Sequence, residues 1–202
     1  MISIMEIFNN ILINLGKALW FYLPVFIANV SIYTIFSVIK LGIPLDLYKT
    51  IKVKNRRNRQ DKQYYEERII GHGRDFAGFF FYIFAAVLIG IIQSYADSTQ
   101  IRAIEALYLG AGGIFGCQMS SFIKRRIGLK QGNYGFFIDQ TDFILGSSLF
   151  YISMFHLDWQ IFVYGIITAL ILHHLVNLMR NGWERIVTKL QNRQQINQIH
   201  LL

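Results

Sequence analysis

Five stretches without a single Asp, Glu, Lys or Arg constrain this chain more than any other feature. They cover residues 18–39, 76–96, 106–123, 143–157 and 159–179. A helix that crosses a bilayer needs about 20 mostly apolar residues, because the hydrocarbon core is roughly 30 Å thick and each residue rises 1.5 Å. Four of the stretches are near that length. The fourth, 143–157, is short and needs a residue or two from each flank. Composition agrees: 53% of the 202 residues are hydrophobic and 16% charged, against about 45–50% and about 25% in soluble domains. That leaves too little polar surface for a water-soluble fold. It also excludes disorder, which requires low hydrophobicity. A single cysteine, Cys117, excludes a disulfide scaffold and a cysteine-based zinc site.

The cations between these stretches set an orientation. Residues 40–75 hold ten of the 20 Lys and Arg, residues 124–142 hold Lys124, Arg125, Arg126 and Lys130, and four more follow residue 179. The intervening connections hold Arg102 or nothing. Strict alternation of basic and non-basic loops is the positive-inside pattern. The chain is therefore expected to be an all-α polytopic membrane protein, one transmembrane domain over 1–202. Five transmembrane helices are expected, with the N-terminus outside and the C-terminus cytoplasmic. Two basic cytoplasmic loops (40–75 and 124–142) and a cytoplasmic tail (180–202) complete it. Residues 1–16 place Ile4, Phe8, Ile11 and Leu15 at helical spacing, as an interfacial helix would. A signal peptide fits less well, since no basic segment precedes the apolar one. The net charge of +8 marks one face of a membrane and calls for no nucleic acid.

Polar groups inside a bilayer are costly, which makes them functional candidates. Asn29, Gln118, Ser120, Ser121, His173, His174 and Asn177 fall within the apolar stretches. His173 and Asn177 share a helix face. Hydrogen bonding between helices is the alternative reading, and it also accounts for Gly110, Gly112, Gly113 and Gly116 as sites of close backbone approach.

The most informative segment runs from Ser121 through Lys124-Arg125-Arg126 to Gly128, Lys130 and Gly132, then to Asp139 and Asp142. If a helix starts there, Asp139 and Asp142 lie on one face. Two carboxylates beside a cationic cluster suit a metal–phosphate site, because Mg²⁺ takes one or two carboxylates and completes its shell with water and phosphate. An N-cap with salt bridges is the alternative.

These residues resemble a known family. Leu23-Pro24 with Ala28-Asn29, Pro44-Leu45-Asp46, Gly116 to Arg126, Lys130, Gly132, Asp139-Gln140, Asp142, and His173 or His174 with Asn177 are similar to the motifs of the CDP-archaeol synthases, archaeal-type membrane cytidylyltransferases related to CDP-diacylglycerol synthases. The resemblance implies five membrane helices with an extracellular N-terminus, in the cell membrane, with the active site facing the cytoplasm. It implies conversion of a membrane lipid phosphate and CTP to CDP-lipid and pyrophosphate, with Mg²⁺ as cofactor. Asp139 and Asp142 would hold metal and, with Lys124, carry catalysis. Arg125, Lys130, Gly71, Gly73, Arg74, Asn29, Asp46, Ser121, His173 and Asn177 would bind substrate. A homodimer is compatible with this reading.

Three positions depart from the family pattern. Its G-x-G-K-T-x-R-G element reads Gly71-His72-Gly73-Arg74-Asp75-Phe76-Ala77-Gly78 here, its G-D in the third helix reads Gly116-Cys117, and the loop from Lys49 to Arg68 is long and basic. A thiol does not replace a carboxylate for a hard cation. A non-catalytic homologue that binds anionic lipid or a partner enzyme is therefore the alternative function. A small transporter is a third class, disfavoured by the lack of repeated halves.

Overall fold

The computed structural model describes residues 4–38, 43–54, 64–70, 74–127, 138–176 and 178. Among the described residues there are five helices: α1 (Ile4–Val38), α2 (Phe76–Ala96), α3 (Ile101–Arg126), α4 (Ile138–Ile152) and α5 (Trp159–Val176). Four of them, all but α4, are long and apolar enough to cross a membrane. The 15 residues of α4 rise about 22 Å, short of a full hydrocarbon core. Helix α4 begins at Ile138, so that Asp139 and Asp142 lie near its start as the sequence reading has them, and stops at Ile152. It is displaced from the charge-free stretch toward Asp139 and Asp142, because Phe155 to Asp158 turn away as the link to α5.

The surface is that of a membrane protein. Helix α2 exposes Phe80, Phe84, Leu88, Ile91 and Ile92, and α4 exposes Leu145 and Leu149. The interior is aromatic and small: Tyr22, Val25, Tyr82, Leu109, Ile114 and Ile144 are fully buried, with Ala86 and Ser147 between them. Apolar tails outside remove the hydrophobic drive between helices, so packing and hydrogen bonds hold the bundle. Tyr22 and Ser148 hydroxyls share a 2.6 Å hydrogen bond, Tyr82 Oη donates to the Val25 carbonyl, and Ser147 Oγ donates to the Leu109 carbonyl at 2.7 Å.

The closest approach is between α3 and α4. A Cβ on Gly116 would stand 2.1 Å from the Asp142 carbonyl oxygen, and one on Gly146 2.2 Å from that of Gly112. Only hydrogen fits at these positions, as the glycine spacing in α3 led us to expect. Backbone contact along this seam fixes the register of everything at its ends.

Residues 4–16 are helical and run unbroken into the first span, making α1 35 residues long. The loop after α1 is not featureless. It contains an antiparallel hairpin of β1 (Thr50–Lys54) and β2 (Tyr64–Arg68), with Lys52 opposite Glu66. Alternating Ile51 and Val53 with Tyr64 and Tyr65 supply the β-branched and aromatic residues that suit a ladder. The density of Lys and Arg hides that alternation in the sequence.

Candidate functional site at the polar end of the α3–α4 seam

One face of α3 reads Gly113, Cys117, Ser120, Lys124, spaced four, three and four residues apart. This is the face that meets α4. The start of α4 answers with Asp139 in its first turn and Asp142 one turn on, three residues apart on one side. The glycine seam thus ends in a polar cluster. Lys124 Nζ forms an ion pair with Asp139 Oδ1. Ser120 Oγ lies 3.5 Å from the same oxygen, and Cys117 Sγ lies 3.8 Å from Asp142 Oδ1. Asp142 Oδ1 also accepts from the backbone N–H of Phe143 at 2.7 Å. Arg74, just before α2, acts electrostatically on both Asp142 and Cys117.

The three consecutive cations of α3 have three different fates. Lys124 turns toward Asp139. Arg125 is buried, with 6% of its surface exposed. Arg126 points outward and stacks 4.5 Å over the Phe122 ring. Helical geometry alone requires this, since neighbours on a helix are turned about 100° apart. Ser121 is buried beside this end of α3. Asn29 is half-buried on α1, one turn from Phe26, whose ring meets Phe143 at 5.4 Å, and one turn from Ile32, which faces Gly78. It therefore sits on the side of α1 that looks toward the first turns of α2 and α4. His173 lies half-buried near the end of α5. Gly71, Gly73, Lys130 and Asn177 fall outside the described residues.

Asp46 occupies a different niche. Its carboxylate is closed off by Arg68, whose Nε reaches both oxygens at 3.1 Å and whose terminal nitrogen also pairs with Oδ1. The Tyr48 and Ile70 N–H groups donate to it at 3.2 and 3.4 Å. Burial works to raise its pKa, but these three partners outweigh burial and hold the carboxyl below its ordinary range. Leu47 and Tyr48 adopt left-handed backbone, φ 49° and 64°, which costs roughly 1–2 kcal/mol per residue. Asp46 offsets that cost by capturing the Tyr48 N–H. Nothing in the sequence marked Arg68 as its partner, because 22 positions separate them.

Asp75 departs from the family pattern, and its place explains the departure. Its Oδ1 accepts from the Gly78 N–H at 2.7 Å as the N-cap of α2. Thr and Asp both perform that task. The carboxylate is thus spent on the helix end. Cys117 is the deeper change, because its thiol stands within the cluster itself, next to Asp142.

Among the described residues no three His, Cys, Asp or Glu side chains converge on one metal position. Asp139 and Asp142 together still present the one or two hard oxygen ligands that Mg²⁺ takes from a protein in phosphate sites. The donor set fits that ion, and Cys117 adds nothing to it.

The family model for CarS-like CDP-archaeol synthase matches residues 8–183. A CDP-archaeol synthase of Methanopyrus kandleri is 32% identical over 169 residues, 83% of this chain and 88% of that protein. The one of Methanocaldococcus jannaschii is 27% identical over 177 residues, covering 82% and 91%. The solved structure of an intramembrane enzyme for archaeal membrane lipid biosynthesis shares the fold, with a TM-score of 0.65 over 81% of this chain and 94% of that one at 24% identity.

Proposed function

The chain belongs to the CDP-archaeol synthase family, and we propose that it is a CTP-dependent cytidylyltransferase that converts a membrane lipid phosphate into CDP-lipid and pyrophosphate. The observation that carries this reading is the gathering of Lys124, Asp139, Asp142 and Arg74 where α3 and α4 touch. We read α4 as a fifth, short span. The positive-inside pattern of the sequence puts the cluster on the cytoplasmic side, with the N-terminus outside.

An oxygen of the lipid phosphate attacks the α-phosphorus of CTP. The new P–O bond forms as the α–β bridge breaks, and pyrophosphate leaves with the bonding electrons. The lipid phosphate is already anionic, so no general base is needed. Catalysis is positioning and charge stabilisation. Lys124 and Arg74 bring positive charge to the phosphates, and Arg125 and Lys130 add to it from the end of α3 and the following loop. Asp139 and Asp142 are the residues that would hold Mg²⁺, which would supply charge neutralisation on the triphosphate and leaving group. Asn29, Ser121, His173, Asn177, Gly71 and Gly73 contribute polar surface and close backbone approach to the substrates. The lipid is an archaetidic or phosphatidic acid. Asp46 acts on the loop rather than on a substrate.

A second reading, a homologue without activity that binds anionic lipid or a partner enzyme, is favoured by one observation: Cys117 stands 3.8 Å from Asp142 where the family pattern has a carboxylate. The test is an assay with radiolabelled CTP, Mg²⁺ and each lipid phosphate in nanodiscs, on the parent and on Cys117→Asp. Product from the parent supports the first reading. Product from Cys117→Asp alone supports the second. Product from neither, where an intact relative works, rejects the assignment.

A further inference from the structure

Among the described residues, the stretch between α1 and α2 is stapled to the start of α2 through residues 43–45. Leu45 N–H donates to the Arg74 carbonyl at 3.0 Å, Phe76 N–H donates to the Ile43 carbonyl at 3.0 Å, and Pro44 bridges Asp75. Residues 43–46 therefore run beside 74–76 as a two-strand splint at the start of α2. The splint has little strength of its own. It is followed directly by Leu47 and Tyr48 in left-handed backbone, a geometry that non-glycine residues keep only when surroundings enforce it. The enforcement comes from Arg68. It grips both Asp46 oxygens, lies 5.4 Å over the Tyr48 ring, and stands at the end of β2. Ile70 N–H adds to the same carboxylate, and Ile69 N–H donates to the Lys49 carbonyl at 3.1 Å. The Asp46 side chain is wholly buried and that of Arg68 is 13% exposed, so the pair is not a solvated surface contact.

We propose that Arg68, through its two-pronged grip on Asp46, is a positioning residue that holds Arg74 in register with Asp142. The chain of force is short. Arg68 fixes Asp46, Asp46 fixes the turn at 47–48, that turn fixes residues 43–45, and Leu45 holds the Arg74 backbone. The guanidinium of Arg74 then acts on Asp142 and Cys117 across the start of α2. The hairpin is thereby a lever anchored at its base to the nucleotide site, and Arg68 never touches a substrate. This assignment rests on the proposed cytidylyltransferase reading for its kinetic consequence, and on the splint alone for its structural one.

The test uses the full chain in nanodiscs, as parent, Arg68→Gln and Arg68→Lys. Amide hydrogen exchange is measured at Leu45 and Phe76, with Tyr48 and Ile70 as neighbours of the cut pair. Kinetics are measured for CTP and lipid phosphate separately. A planar guanidinium and a point-charge ammonium differ in two-pronged binding, so Arg68→Lys is expected to rescue in part. In Arg68→Gln, exchange at Leu45 and Phe76 is expected to rise about tenfold, and KM for CTP to rise about tenfold with KM for lipid phosphate unchanged. Arg68→Lys is expected near threefold on both. Faster exchange confined to Tyr48 and Ile70 would overturn the proposal, since the pair would then stabilise only its own turn. So would an unchanged KM for CTP in an active protein. If the parent makes no product, the functional reading fails, and exchange at Leu45 and Phe76 still decides the positioning role.

Discussion

Two ends of the same bundle carry ionic clusters, and they are built differently. At the end where α2 meets α3, Asp97 accepts from Trp20 Nε1 at 3.1 Å and from Arg102 at 2.9 Å. Glu105 accepts from Arg102 and from Tyr151 Oη, both at 2.9 Å. Two carboxylates share one arginine, and donors from α1, α3 and α4 surround them. At the other end, the start of α4 brings Asp139 and Asp142 to an end of α3 that carries three cations in a row. Among the described residues, Lys124 of those three pairs with Asp139 at the seam. The Asp97 end is balanced and ties helices together. The Asp142 end gathers more formal positive charge than negative, Lys124, Arg125, Arg126 and Arg74 against Asp139 and Asp142, which suits a polyphosphate. A buried network adds stability when every member is satisfied, and a site for an anionic ligand is marked by an excess of cations over carboxylates.

The largest difference between the ends should appear in turnover. Asp142→Asn or Asp139→Asn is expected to lower product formation by about 10³-fold or more while leaving melting unchanged. A near-parental rate in both would contradict the assignment. Next comes the seam between the ends. Gly116→Ala places a Cβ 2.1 Å from the Asp142 carbonyl. It should cost about 2 kcal/mol of stability by overpacking and lower turnover too, because α4 must move. Thermal unfolding and rate, measured together, check both. At the Asp97 end, Glu105→Gln weakens the Arg102 contact and should cost about 1 kcal/mol, with KM for CTP unchanged. A shifted KM would blur the division between the two ends.

The smallest effect is in pH. Asp46, near the site, and Asp97, at the opposite end, both lie outside the spans and both titrate below the ordinary value of 3.8. For Asp46, burial opposes the shift and Arg68 with the Ile70 and Tyr48 amides produces it. For Asp97, the Trp20 hydrogen bond and Arg102 produce it. A depressed folded pKa means the stabilisation is complete above the unfolded value and is lost as pH falls through the folded one. Melting should therefore be flat above about pH 5 and decline toward pH 3. Arg68→Gln should remove part of that decline, and Glu105→Gln should leave it in place.

Helices α1, α2, α3 and α5 are legible from charge-free length alone, and the Asp139–Asp142 pair from its spacing after a cationic run. What stayed hidden depends on contacts between distant residues. Helix α4 stops at Ile152, five residues before its charge-free stretch ends. Asp46 resembles a substrate ligand by motif, and its partner Arg68 is visible only once β2 returns to it. Asp75 reads as a repulsive charge near phosphate until its N-cap bond to Gly78 is seen. The hairpin is masked by lysines that carry the same alternation as its Ile51 and Val53. In each case the sequence supplies the chemical group and the fold supplies the partner that defines its task.

The most direct test of the division between the two ends is one assay run on three proteins in nanodiscs: parent, Asp142→Asn and Asp97→Asn. Each is given radiolabelled CTP, Mg²⁺ and lipid phosphate at a temperature where all three remain folded. The expected result is CDP-lipid from the parent and from Asp97→Asn at comparable rates, and none from Asp142→Asn. Product from Asp142→Asn at the parental rate, or its loss from folded Asp97→Asn, would contradict it.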